Sequence, residues 1–389
     1  MRKLSAVLIT SVVINSLLLA CSAKITPTVT RENSQITTVV ASENNSSAVQ
    51  YVNASDLKIL GKYHAEEGYH RLPAAFQDRV RPPVWSLSQN TAGLAVRFAT
   101  NAPALHAKWD LTSEKALPNM TSVAVNGLDL YAWTGEKWQY VNSGMPRSRT
   151  NDKKLISDMD STLKEFLLFL PLYNGVESLS IGTDSAYSIL PPQQLLIQND
   201  EPIVFYGTSI TQGASASRPG MAYPSIISRR LNREVINLGF SGNGLFEASV
   251  GEALCQIEAG LYVIDCTPNA APDIIKANAL DLIRQLHRCW PDTPILLVES
   301  IIREYAYFKT SDATTFGSME YLKAQNAALS RTFQSAREEG IENIYYLPAD
   351  DLLGDDHEGT TDGTHLSDLG NYRMAAQLEK QILSIIEPK

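Results

Sequence analysis

The sequence predicts two folded bodies in tandem, an antiparallel β-sandwich followed by an α/β domain built on a central parallel sheet. Three observations carry that expectation. Residues 56–197 hold short alternating or apolar runs punctuated by Asn, Gly, Pro and Asp. From Pro202 the rhythm changes, and five short apolar runs alternate with longer stretches of helical period. The chain also has 389 residues with 44% hydrophobic composition, more than a single mid-sized core requires.

The elements follow in chain order. The N-terminus, MRKLSAVLITSVVINSLLLACSAK, opens on Arg2 and Lys3, runs apolar to Ala20 and stops at Cys21, the pattern of an export signal over residues 1–21. The stretch Leu18-Leu19-Ala20-Cys21 resembles the lipobox of bacterial lipoproteins, which implies a lipidated Cys21 and a membrane-anchored protein, periplasmic or on the cell surface. An ordinary cleaved signal or an uncleaved anchor are the other readings of the same segment, with Cys21 incidental. Residues 22–55, rich in Ser, Thr, Asn and Val without helical period, read as a tether.

The sandwich is expected over residues 56–197. Its strands are read at GLAVRFAT (93–100), LHAKWDL (105–111), TSVAVNGLDLYAW (121–133), KWQYV (137–141) and KEFLLFLPLYNGVESLSIG (164–182). Over residues 198–389 the strand runs are PIVFYG, EVINLGFSG, LYVIDC, PILLVES and NIYYLP. They alternate with AYPSIISRRLN, FEASVGEALCQIEAG, APDIIKANALDLIRQLHRCW, SMEYLKAQNAALSRTFQSAREEG and LGNYRMAAQLEKQILSII. No internal repeat of fixed period is visible.

Charge narrows the function classes. Only 19% of residues are charged and the formal net charge is -9; removal of the leader, with Arg2 and Lys3, leaves 31 basic against 42 acidic residues, a net of -11. Such a surface has no basic face to neutralise phosphates, so nucleic acid is not an expected partner. Cys255, Cys266 and Cys289 are odd in number and lack metal-ligand spacing; buried free thiols are the favoured reading, and a disulfide between two of them, in an oxidising compartment, is the other, with the pair not identified by the sequence.

In an open parallel sheet, ligands sit beyond the carboxyl ends of the strands. There the sequence places GTSITQG after the first strand, NLGFSGNG after the second, DCTPNA after the third and DGTHLSD before the last helix. A serine hydroxyl must lose its proton as it attacks, so it needs a histidine within reach. His365, with Asp362 three residues earlier to orient its ring, is the expected base for Ser209. The Gly242 N–H, the Asn269 side-chain amide and the Ser209 N–H are the expected oxyanion donors. Gly207 is expected to allow the sharp turn that lifts Ser209 out of the strand line. No metal or organic cofactor is called for.

These blocks resemble those of the SGNH (GDSL-type) hydrolases, in which Ser, Gly, Asn and an Asp-x-x-His pair occur in this order. The resemblance covers roughly residues 200–387 and implies a flavodoxin-like catalytic domain and acyl-enzyme chemistry. Thr208 stands where the family's first block commonly has Asp. Gly127 to Tyr131 reads G-x-D-L-Y, similar to a β-sandwich domain found N-terminal to some bacterial SGNH esterases; Asp129 is read as structural and Arg218 as a solvated arginine. His357, eight residues before His365, lacks the Asp-x-x-His relation and is read as exposed, and the acidic run from Asp350 to Glu358 as a solvated loop.

The expected function is hydrolysis of O-acyl esters, O-acetyl above all, on carbohydrate. A lipase or thioesterase would call for an apolar acyl channel, and no long apolar insertion follows the serine block. An acyltransferase would share the triad, with an alcohol in place of water. A surface glycan-binding lipoprotein on a retired enzyme fold would lack a catalytic element, whereas all four blocks are filled here.

Overall fold

The structure is a computed structural model that describes residues 48–192 and 201–387. The leader, Cys21 and most of the expected tether lie outside the described residues. The sandwich strands are β1 (Val49–Asn53), β2 (Lys58–Leu60), β3 (Ala95–Thr100), β4 (Leu105–Leu111), β5 (Leu128–Trp133), β6 (Trp138–Gly144), β7 (Thr150–Ile156), β8 (Lys164–Phe169) and β9 (Val176–Asp184). One antiparallel sheet runs β1-β9-β4-β7, the other β2-β3-β8-β5-β6.

Alternation decides which side of each strand faces the core. Along β4, Leu105, Ala107, Trp109 and Leu111 are buried while Lys108 is exposed. They meet Phe98, Phe166, Leu130, Leu179 and Ile181 in the space between the sheets.

Three local expectations change. Residues 121–133 form not one strand but a short helix α2 (Ser122–Asn126) ahead of β5, whereas α1 (Pro82–Ser88) precedes β3. Thr121 Oγ1 accepts from Ala124 N at 3.0 Å and starts α2, and at Gly127 a Cβ would come within 2.8 Å of Val123 O. A cap and a close approach thus override the strand propensity of Val123 and Val125. Strand β1 lies inside the segment read as tether and pairs antiparallel with β9. Strand β7, TNDKKLI, went unread because it buries only Asn151 and Leu155 and carries polar residues between them.

The second sheet comprises β10 (Ile203–Gly207), β11 (Val235–Gly239), β12 (Leu261–Asp265), β13 (Ile295–Val298) and β14 (Ile344–Leu347). All its pairings are parallel, in the order β11-β10-β12-β13-β14. This is the doubly wound order whose switch point lies beside the first strand, so the carboxyl end of β10 is where a ligand crevice forms. The helices are α3 (Ser209–Gln212), α4 (Tyr223–Leu231), α5 (Ala248–Leu254), α6 (Pro272–Cys289), α7 (Met319–Glu338) and α8 (Asp368–Ile386). Ile226 and Ile227 of α4 and Leu378 and Ile382 of α8 cover one face of the sheet. Val250 of α5, Leu282 of α6 and Leu329 of α7 cover the other.

The structure decides between the two cysteine readings: Cys255 and Cys289 form a disulfide, and only Cys266 follows the favoured reading of a free, buried thiol. Cys255 follows α5 directly and Cys289 ends α6. The two helices pack so that their carboxyl ends meet, a pairing that 34 residues of separation conceal.

The two bodies are tied by a buried cation. Arg71, 1% exposed, donates to Leu87 O and Asn90 O on the sandwich side and to Asn237 O and Gly239 O at the end of β11. Satisfying a guanidinium on backbone carbonyls of both bodies offsets its desolvation and fixes their relative position.

Candidate active site

The site grows from the end of β10. Gly207 is needed for crowding and not for a left-handed backbone, because a Cβ there would lie 2.0 Å from Thr211 Oγ1 and 2.8 Å from Asp265 O. Thr208 then caps α3: its Oγ1 accepts from Ile210 N at 3.2 Å, and its own N–H donates to Thr211 Oγ1 at 3.1 Å. A threonine oxygen thus serves as the N-cap at the position where the family pattern commonly has Asp, another residue type that caps helices. Ser209 is the first residue of α3 and is 6% exposed.

Beneath this turn lies Asp265, 1% exposed at the end of β12. Thr211 Oγ1 and Tyr223 OH each donate to its Oδ2 at 2.8 Å. Burial pushes the Asp265 carboxyl up to about 7, and these two hydrogen bonds act in the opposite direction. The chain Asp265, Thr211, Thr208 therefore braces the turn that carries Ser209. None of its three members was singled out in the sequence as a brace, since each is an ordinary polar residue until the strands align.

Ser209 Oγ lies 3.0 Å from His365 Nε2, and His365 Nδ1 lies 2.8 Å from Asp362 Oδ2. With the carboxylate accepting from Nδ1–H, Nε2 is left to accept from the hydroxyl. The Asp-x-x-His spacing has a local cause. Asp362 Oδ1 accepts from Thr364 N at 3.1 Å and His365 N at 2.8 Å, closing a turn that swings Oδ2 toward the ring. Glu304 N donates to Gly363 O at 3.0 Å and pins that turn. Burial raises the Asp362 carboxyl, but the hydrogen bonds from His365 and from Asn119 outweigh it and hold the group at about 2.

The expected oxyanion donors come from loops stitched to the same turn. Ser241 N donates to Gln212 Oε1 at 3.0 Å, and Gly244 packs so closely on β10 that a Cβ would lie 2.6 Å from Gly207 O. Gly242, between them, has φ +71° and open space around it. Asn269 Oδ1 accepts from Gly244 N at 3.3 Å, which ties the amide to that loop and leaves Nδ2 uncommitted. Among the described residues, Ser209 N, Gly242 N and Asn269 Nδ2 donate to no protein acceptor.

The sandwich also reaches this centre, which the sequence did not reveal. Asn119 Nδ2 donates to Asp362 Oδ2 at 2.9 Å. Tyr173 OH donates to Ser209 O at 3.3 Å, and Gln212 Nε2 donates to Leu172 O at 3.1 Å. Arg218 is corrected from a solvated arginine: its Nη1 donates to the wholly buried Asp129 Oδ2 at 2.7 Å, and Gly220 N donates to the same oxygen at 2.8 Å. Asp129 is structural as expected. His357 is exposed and 2.8 Å from Glu304 through Nδ1, away from Ser209's hydrogen-bond chain.

Residues 200–383 match the family described as GDSL-like lipase/acylhydrolase, and residues 49–189 match the one described as the N-terminus of SGNH-hydrolase-type esterases. The crystal structure of a GDSL-like lipase from Bacteroides ovatus is 41% identical, with a TM-score of 0.81 over 87% of this chain and 98% of that one. A salicylyl-acyltransferase from a tetracycline biosynthetic pathway shares the fold at 15% identity, with a TM-score of 0.66 over 88% of this chain and 99% of that one. A family two carbohydrate esterase from Clostridium thermocellum does so at 14% identity and a TM-score of 0.55, over 75% of this chain and 92% of that one. No curated protein matches the chain in sequence.

Proposed function

The chain belongs to the GDSL-like lipase/acylhydrolase family, and from that premise we propose that it is a serine esterase removing small O-acyl groups, acetyl first among them, from carbohydrate. The observation that carries the reading is the unbroken hydrogen-bond chain from Ser209 Oγ through His365 to Asp362, at 3.0 and 2.8 Å.

In this proposal Ser209 Oγ attacks the ester carbonyl carbon while its proton passes to His365 Nε2. The negative charge that develops on the carbonyl oxygen is met by the N–H groups of Ser209 and Gly242 and by Asn269 Nδ2. The ester C–O bond then breaks, and the imidazolium returns its proton to the leaving sugar oxygen. Water, deprotonated by His365, attacks the acyl carbon and releases the carboxylic acid and free Ser209. Asp362, held ionised, stabilises the imidazolium in both halves.

Two further observations bear on substrate and place. Carbohydrate esterases share the fold, which supports a sugar ester as the substrate of this proposal. The Cys255–Cys289 disulfide fits an oxidising compartment, in keeping with export and with a lipid anchor at Cys21.

The test is turnover of p-nitrophenyl esters from two to twelve carbons and acetate release from acetylated xylan, by wild type and Ser209→Ala. Acetyl preference lost in the variant supports the proposal. A preference for long chains would move the reading to a lipase, and activity that survives in Ser209→Ala would sink it.

A further inference from the structure

Asn119 belongs to the sandwich, in the connection from β4 to α2, and stands 243 residues before Asp362 in the chain. Its Nδ2 nevertheless lies 2.9 Å from Asp362 Oδ2 and 3.4 Å from His365 Nδ1. Which end of the amide faces the carboxylate follows from charge, since Oδ1 against a carboxylate oxygen would be repulsive and only the NH2 group can donate. The second distance is proximity alone, because the His365 Nδ1 proton is already directed at Asp362.

Counting acceptors on Asp362 shows what this amide adds. Oδ1 is taken by the backbone N–H groups of Thr364 and His365, both from its own turn. Oδ2 receives His365 Nδ1–H and Asn119 Nδ2–H. Asn119 is thus the donor to this carboxylate that comes from outside the Asp362–His365 turn, and it binds the oxygen that holds the imidazole.

The connection that presents Asn119 is built for rigidity. Asn174, buried between β8 and β9, accepts through Oδ1 from Thr112 Oγ1 at 3.0 Å and Ser113 Oγ at 3.1 Å, and donates through Nδ2 to Ser113 O at 2.8 Å. Asn126 Nδ2 donates to Lys115 O at 2.7 Å. At the far end Thr121 Oγ1 donates to Ser217 O, and Ser217 N donates to Asp368 Oδ1 at the start of α8. The connection is therefore anchored at its root in the sandwich and at its tip beside the catalytic loops.

We propose that Asn119 is a positioning residue that fixes Asp362 Oδ2 against the imidazole, and that the sandwich is through it an integral part of the catalytic centre. The inference rests on the triad reading above. Its physical content is a charge-assisted hydrogen bond that limits rotation of the carboxylate and withdraws charge from Oδ2. Without it, the carboxylate is held by its own turn and the ring alone, so Oδ2 departs more often from the imidazole, and when in place it holds the imidazolium more strongly.

The experiment compares wild type, Asn119→Ala and Asn119→Asp. The readouts are kcat and KM on p-nitrophenyl acetate across pH, and the rate of labelling by a fluorophosphonate, located by mass spectrometry. Labelling reports Ser209 nucleophilicity whatever the natural substrate, and no labelling of wild type at Ser209 would overturn the triad reading and this inference with it. Expected for Asn119→Ala is a fall in kcat and labelling of about ten- to a hundredfold, KM little changed, and an acid limb of kcat/KM displaced from that of wild type. Asn119→Asp, of the same shape, places a second carboxylate against Asp362 and is expected to be slower still at neutral pH. An Asn119→Asp variant as fast as wild type, or an Asn119→Ala variant with unchanged kcat and pH profile, would show that the contact is packing only. Thermal melts of both variants within a few degrees of wild type verify that the losses are not unfolding.

Discussion

Arg218 Nη1 meets Asp129 Oδ2 at 2.7 Å across the seam between the two bodies, with the carboxylate wholly buried. Asp129 also accepts from Gly220 N and from Ser143 Oγ, at 2.8 and 3.1 Å. Removing the carboxylate strands a half-buried guanidinium and a buried N–H together. Asp129→Ala is expected to lower stability by about 3 kcal/mol, read by urea unfolding, and to lower activity because residues 214–221 directly follow α3, which carries Ser209, the proposed nucleophile. A variant as stable as wild type would show that the pair is dispensable.

Gly207→Ala places a methyl 2.0 Å from Thr211 Oγ1, the atom that links Thr208 N to Asp265. The brace must shift, and Ser209 moves with it. Turnover is expected to fall by about a hundredfold or more, since small displacements of a nucleophile cost that much. Kinetics close to wild type would show that the turn tolerates the displacement.

Asp265 sets a pH dependence of stability. Its folded carboxyl is raised to about 7, while the unfolded value is about 3.9. The folded protein therefore keeps a proton that the unfolded chain has already lost, so the contribution is complete below about pH 4 and disappears as pH rises through about 7. Asp265→Asn is expected to flatten that decline, by up to about 1.4 kcal/mol per pH unit between those limits. Denaturation curves at pH 4, 5.5, 7 and 8 test this, and profiles that stay parallel would refute it.

The Cys255–Cys289 bridge closes a loop of 34 residues spanning β12 and α6. Loop entropy assigns it about 3–4 kcal/mol, so reduction or Cys255→Ser is expected to lower Tm by several degrees while esterase activity at 25 °C persists. The bond is on the α5–α6 side, away from Ser209. Loss of activity without loss of fold would mean that the bridge shapes the site.

The alternation of LHAKWDL foretold β4 residue for residue, because one buried face imposes a period of two whatever the partner strand. The parallel strands were equally legible, since burial on both faces demands continuous runs such as Ile203 to Tyr206. Strand β7 and the helix hidden in residues 121–133 were not, because an edge strand needs little apolar character and a cap can outweigh propensity.

The candidate site divides along the same line. Ser209, Asp362 and His365 could be named from the chain because each lies in a short segment whose chemistry is self-contained; the Asp362 turn even closes on itself within three residues. Asn119 and Asp265 could not be given their roles, nor Asp129 its partner, because an amide or a carboxylate acquires these only from what stands opposite. Asn119 faces Asp362 across 243 residues of sequence, Arg218 lies 89 residues beyond Asp129, and Asp265 is 54 residues from Thr211. The sequence by itself thus determined the two architectures and the candidate reacting groups, through periodicity and local turns. Only the tertiary structure decided how those groups are braced, and that the sandwich does part of the bracing, because hydrogen bonds act over about 3 Å of space and take no account of distance along the chain.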